Sequence, residues 1–172
     1  TFPRDKLCGE FLSPDALVIL EELGLVAEAG KIAVQGIRRA RIFDAAGECA
    51  EAEFPAAGSG AQAAWGIPRL LLDALLLGSC RNRGVQVIEG VSPTVFRDAR
   101  EAWRIGLPND KVITARCLVA ADGRLSSFAA PVESGEGSGP RRFALKAHFS
   151  APAMARDAVD LHLYEGGYAG VN

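Results

Sequence analysis

The stretch from Pro68 to Gly84 constrains this chain more than any other. Leucine stands at 70, 71, 72, 75, 76 and 77, behind a proline that opens a helix and ahead of a glycine that closes one. A helix with so little polar surface near its start is expected between layers of structure rather than on an outer face. The rest of the sequence is therefore read for the layers that cover it.

Upstream, Ser13-Pro14 marks another helix start, with a side-chain cap followed by proline at the first helical position. Leu17, Leu20 and Leu23 repeat at helical spacing, and Gly24-Leu25 reads as a glycine C-cap with its hydrophobic contact. From Lys31 to Phe54 the pattern changes to short strands. Ile32 and Val34 alternate, then Ala40, Ile42 and Phe43, then Ala52 and Phe54, broken by the turn at Ala46-Gly47. Residues 55–62 read as a loop.

Downstream, strands are expected at Val85–Ile88, around 94–97 and 102–107, over Ile113–Ala121, near Phe143–Phe149 and near Val159–Tyr164. Asp98–Arg100 joins two of them, Pro108-Asn109-Asp110 and Gly166-Gly167 are turns, and the glycine- and serine-rich residues 133–140 read as a flexible crossing. The order predicts an α/β (α+β) fold with an antiparallel sheet. No internal repeat is present. The opening Thr1-Phe2-Pro3 and the end at Asn172, just after a turn, read as the inside of a longer sequence.

Composition excludes several classes. At 172 residues the chain is long enough for a sizeable core, and its net charge of -2 with no basic stripe argues against nucleic acid. Cys8, Cys49, Cys80 and Cys117 lie far apart, with no pair at metal-ligand spacing, so reduced thiols in a cytoplasmic protein are expected. No apolar run is long enough for a transmembrane segment.

Three short segments could carry chemistry. In Lys6-Leu7-Cys8-Gly9-Glu10 the glycine lets backbone amides approach a ligand and Lys6 adds positive charge; the alternative is an ordinary loop with a buried cysteine. Arg69 stands in the first turn of its helix, where the dipole disfavours a cation, and Asp73 follows one turn later in the weaker orientation for a pair. An anionic ligand would compensate; the other reading is a solvated arginine. Val119-Ala120-Ala121-Asp122-Gly123 places a carboxylate at the end of a predicted strand, where open α/β sheets bind ligands, although Asp-Gly is also a common turn dipeptide. His148 and His162 sit in predicted strands with no triad partner at a suggestive spacing, and read as packed or surface residues.

In this order, FPRDKLCGEFLSP, GIPRLLLDALL and CLVAADGRLSS resemble successive landmarks of FAD-dependent oxidoreductases of the p-hydroxybenzoate-hydroxylase fold, which include flavin monooxygenases and geranylgeranyl reductases. EGGYAGVN resembles the stretch before that family's third flavin motif. The resemblance implies an incomplete FAD-binding layer over 1–30 and 62–130, a substrate-domain sheet over 31–61 and 139–172, and a linker at 131–138. It places Arg69 at the FAD phosphates, the Val91 backbone at the adenine, and Asp122 with Gly123 near the pyrophosphate and the nicotinamide approach. Lys6, Cys8 and Gly9 would lie beside the isoalloxazine and ribityl chain.

The family's opening GxGxxG unit and later Gly-Asp motif are not in this sequence. Trp65-Gly66-Ile67-Pro68 resembles the tryptophan motif of flavin halogenases, but Ala63 replaces its first tryptophan, so halogenation is not expected. The activity implied is an NAD(P)H-dependent FAD monooxygenase or dehydrogenase acting on an apolar or aromatic small molecule. A geranylgeranyl-reductase-type double-bond reductase is the alternative, and an inactive fragment or cofactor-free binding module the alternative from another class. With the first strand of the family's sheet not in the sequence, self-association through exposed strand edges is also expected.

Overall fold

The computed structural model describes residues 2–55, 64–97, 102–122, 143–150 and 157–172. Residues 56–62 of the expected loop, the joint at 98–100, Gly123, the linker at 131–138 and the crossing at 133–140 lie outside these residues. The architecture is α+β and divides into two compact units, Thr1–Val87 with Ala144–Asn172, and Ile88–Phe143.

In the larger unit, α1 (Pro14–Glu22) starts as its sequence dictates. Ser13 Oγ accepts the Ala16 N–H at 3.4 Å, and Pro14 supplies the preset φ of the first turn. Its end is a glycine cap: Gly24, at φ +66°, donates to the Glu21 carbonyl at 2.8 Å, and Leu25 donates to the Leu20 carbonyl at 2.8 Å. Leu20 and Leu25 are both buried, the hydrophobic contact that accompanies such a cap.

The chain then enters α2 (Val26–Ile32), where strands had been expected to begin from Lys31. Ala27, Glu28, Ala29 and Lys31 are good helix formers, and no side chain caps the turn to announce the helix. Gly30 faces Trp65, where an added Cβ would stand 3.5 Å from the indole.

Two sheets complete this unit. The first has the order β1 (Phe11–Leu12), β5 (Ala64–Gly66), β2 (Gln35–Ile37), all antiparallel, with β5 buried throughout. The second has the order β10 (Gly167–Val171), β9 (Ala158–Tyr164), β3 (Arg39–Phe43), β4 (Cys49–Glu53). Here two antiparallel hairpins meet through a parallel pair, β3 with β9, in the register Arg41 opposite Asp160. Ion pairs run along that seam. Arg41 grips buried Asp160 through Nε at 2.7 Å and Nη2 at 2.6 Å, and Arg39 grips Asp157 at 2.9 and 3.0 Å.

The apolar helix is α3 (Arg69–Asn82), with Pro68 as its cap residue rather than its first helical one. Gly84, at φ +79°, closes it by donating to the Arg81 carbonyl at 2.9 Å. Leu72 is buried with Leu17, Leu20, Leu25, Ala29, Trp65 and Ile67 in one core. Leu70 and Leu71 remain 39 % and 41 % exposed, so α3 is packed along one side and not all round.

The smaller unit contains an antiparallel meander, β6 (Thr94–Arg97), β7 (Trp103–Gly106) and β8 (Val112–Ala115). Three expected strands differ. Val85–Ile88 and Phe143–Phe149 join no sheet, and the strand expected over Ile113–Ala121 stops at Ala115. The reason is common to all: an extended segment is a strand only when a neighbour shares its hydrogen bonds. Val85, Val119 and Leu145 are exposed, without the cover that pairing would bring. Among the described residues, no helix is long and apolar enough to cross a membrane.

Candidate functional site

A cluster of charge forms where the 5–10 loop meets the start of α3. Residue spacing puts Arg69 and Asp73 one helical turn apart, and they pair through two bonds, Nε to Oδ1 at 2.9 Å and Nη2 to Oδ2 at 3.1 Å. Lys6 reaches the same carboxylate at 2.6 Å. Asp73 is 6 % exposed, a carboxylate that burial alone would disfavour. Burial pushes its pKa up, but the bonds from Arg69 and Lys6 outweigh it and hold the group below the ordinary aspartate value. The guanidinium of Arg69 is held above its usual value, chiefly by Asp73 and further by the Cys8 thiol.

The arginine was expected to lack a good intrahelical partner. It has one. The bidentate fork of the guanidinium overcomes the weaker cation-first orientation, because a planar pair adds directed hydrogen bonds to the charge term. Arg69 is accordingly half-buried, not solvated.

Glu10 is the residue that sequence reasoning missed. Its carbonyl accepts the Ile67 N–H at 2.8 Å and its Oε1 accepts the Arg69 N–H at 2.9 Å. Pro68 offers no side-chain cap to α3, so a carboxylate from far along the chain caps it instead. Lys146 reaches Glu10 Oε1 at 3.1 Å and Asp5 at 2.6 Å, and His148 Nε2 lies 2.8 Å from Glu10 Oε2. Burial raises the Glu10 carboxyl, and the bonds from His148, the Arg69 amide and Lys146 together bring it below its usual value. The sequence carried no signal of this: the helix that follows Glu10 is α1, which Ser13 caps, and nothing pointed to residues so distant.

The other expected residues are distributed as follows. Cys8 is half-buried, its sulfur accepting the Glu10 N–H at 3.4 Å, and Gly9 is exposed with open space where a Cβ would stand. Lys6, Cys8 and Arg69 thus come together in the larger unit. Val91 and Asp122 belong to the smaller one: Val91 is half-buried after Gly90, and Asp122 is exposed beyond the end of β8. His162 stacks on Phe43 with ring centroids 4.6 Å apart.

No family model and no curated protein matches the chain. Solved structures do, and they show the class of fold: it is flavin-monooxygenase-like. PqsL from Pseudomonas aeruginosa, described as a probable FAD-dependent monooxygenase, is similar over 92% of this chain at 21% identity with a TM-score of 0.65. FqzB is similar over 74% at 18% identity with a TM-score of 0.55. The chain spans 44% of PqsL and 29% of FqzB.

Proposed function

We propose that this chain is part of an FAD-dependent oxidoreductase, with NAD(P)H as electron donor and an apolar or aromatic small molecule as substrate. The observation that supports the reading is the meeting of Lys6 and Arg69 at the start of α3, in a chain that shares its fold with PqsL. The two cations share the carboxylate of Asp73, so together they carry more positive charge than it cancels. A phosphate-bearing cofactor fits that donor set. It fits the side chains and not the helix end, because Glu10 already fills the N-terminus of α3.

In this reading Arg69 and Lys6 hold the phosphate side of FAD, and Cys8 and Gly9 border the ring and ribityl chain. The Val91 backbone meets the adenine, and Asp122 and Gly123 lie toward the pyrophosphate. Segments 1–30 and 62–130 serve the cofactor, 31–61 and 139–172 the substrate, and 131–138 links them. When bound, FAD supplies the redox chemistry and the protein supplies position and electrostatics.

The test is made in the full-length protein of which we propose this chain is a part. A charge-assisted hydrogen bond contributes about 1.5–3 kcal/mol, so Arg69→Ala is expected to weaken FAD binding by roughly ten- to a hundredfold, read by quenching of flavin fluorescence. Arg69→Lys recovers only part, since an ammonium lacks the planar fork. Wild-type affinity in Arg69→Ala removes Arg69 from the site. Oxygen uptake coupled to NAD(P)H oxidation separates a monooxygenase from a double-bond reductase.

A further inference from the structure

Glu10 combines features that a loop residue has no need of. Its backbone lies at φ +58°, in the left-handed region that glycine favours and that other residues rarely adopt. Gly9 stands immediately before it, at a position that does not use a positive φ. Its side chain is 11% exposed, and the hydrogen bonds of that side chain and of its carbonyl lead to other segments. The carbonyl holds Ile67, Oε1 holds the Arg69 amide and Lys146, and Oε2 holds His148. The strained backbone aims the carboxylate at the start of α3, which its own cap residue, Pro68, leaves bare.

We propose that Glu10 is the positioning residue of this site. It fixes the first turn of α3 against the loop that carries Lys6 and Cys8, and so sets where the guanidinium of Arg69 stands, a role whose effect on ligand binding rests on the cofactor reading above. Lys146 and His148, two residues apart, register the segment that carries them on the same carboxylate. The loop, the helix start and segment 144–150 thus share one anchor. Glu10 acts through Arg69 and needs no contact with cofactor or substrate.

Two substitutions separate this role from a general loss of structure. Glu10→Gly deletes the carboxylate yet suits the left-handed backbone, so the variant is expected to fold. Glu10→Gln keeps a carbonyl acceptor for the Arg69 amide. In the full-length protein freed of cofactor, hydrogen exchange at the amides of Arg69–Leu72 is expected to quicken by about tenfold in Glu10→Gly and to stay near wild type in Glu10→Gln. Unchanged exchange there in Glu10→Gly overturns the proposal.

In the full-length protein, well below its melting temperature, Glu10→Gly is expected to weaken FAD binding by about tenfold, with most of it restored in Glu10→Gln. If Arg69→Ala loses FAD while Glu10→Gly binds like wild type, Glu10 does not position the arginine. If Arg69→Ala itself binds FAD normally, the cofactor reading falls, and the exchange result alone decides whether Glu10 holds the helix start.

Discussion

Asp73 shows how much one carboxylate can organise. It is buried at the start of α3 and is charged because Arg69 and Lys6 both bind it. A carboxyl whose folded pKa is depressed contributes stability that is present above its unfolded pKa and is lost as pH falls through the folded one. Asp73 and Glu10 both have this sign, so stability is expected to fall as acid is added below the ordinary carboxylate values of 3.8 and 4.5. Asp73→Asn should flatten part of that slope in urea melts run across pH. At neutral pH it should cost about 1–2 kcal/mol, less than a fully buried pair because both cations keep some solvent. A slope as steep in Asp73→Asn as in wild type would assign the acid sensitivity elsewhere. The spacing of Arg69 and Asp73 on one helix was legible, but the bidentate pair was not, because the cation-first order argued against it. Glu10 was not, since its partners lie 59, 136 and 138 residues away and sequence periodicity reports only neighbours.

Among the elements, those that carry their own start and stop signals were the ones readable in advance. Ser13-Pro14 and Gly24-Leu25 bracket α1, and the bonds formed at both ends are those the residues imply. Helix α2 has no such signal and was read as strand from Lys31, because Ile32 and Val34 alternate at the junction between the two periods. Val85–Ile88 has every local property of a strand and lacks only a neighbour. The C-cap of α1 gives the cleanest measurement at this scale. Gly24→Ala places a Cβ at φ +66° with only the Arg83 side chain nearby, so backbone conformation and not crowding sets the cost. The expected loss is about 1 kcal/mol in denaturant unfolding, with an unchanged slope against denaturant. A loss several times larger would mean that the turn into α2, and with it the core around Ala29, had been displaced.

For the molecule as a whole, apolar surface left open dominates the expected behaviour. Val119, Leu145 and Phe149 are 81%, 99% and 84% exposed, and β4 and β10 are outer strands of their sheet. The chain is expected to associate as its concentration rises, seen as a growing weight-average mass in sedimentation, and Leu145→Lys should reduce it. One monomeric species at every concentration would count against that. The four-stranded sheet has a consequence in time. Arg41 and Asp160 are separated by 119 residues, so at roughly 5–20 residues per second a ribosome makes the first about 6–24 s before the second. Throughout that wait β4 is the one neighbour in its sheet that β3 can have, and the far edge of β3 is unclaimed, the state in which strands recruit the wrong neighbour. Arg39 has Glu51 within the β3–β4 hairpin, but Arg41 waits for Asp160 as unpaired charge, so a side chain that secures the finished seam also guards it until its partner is synthesised.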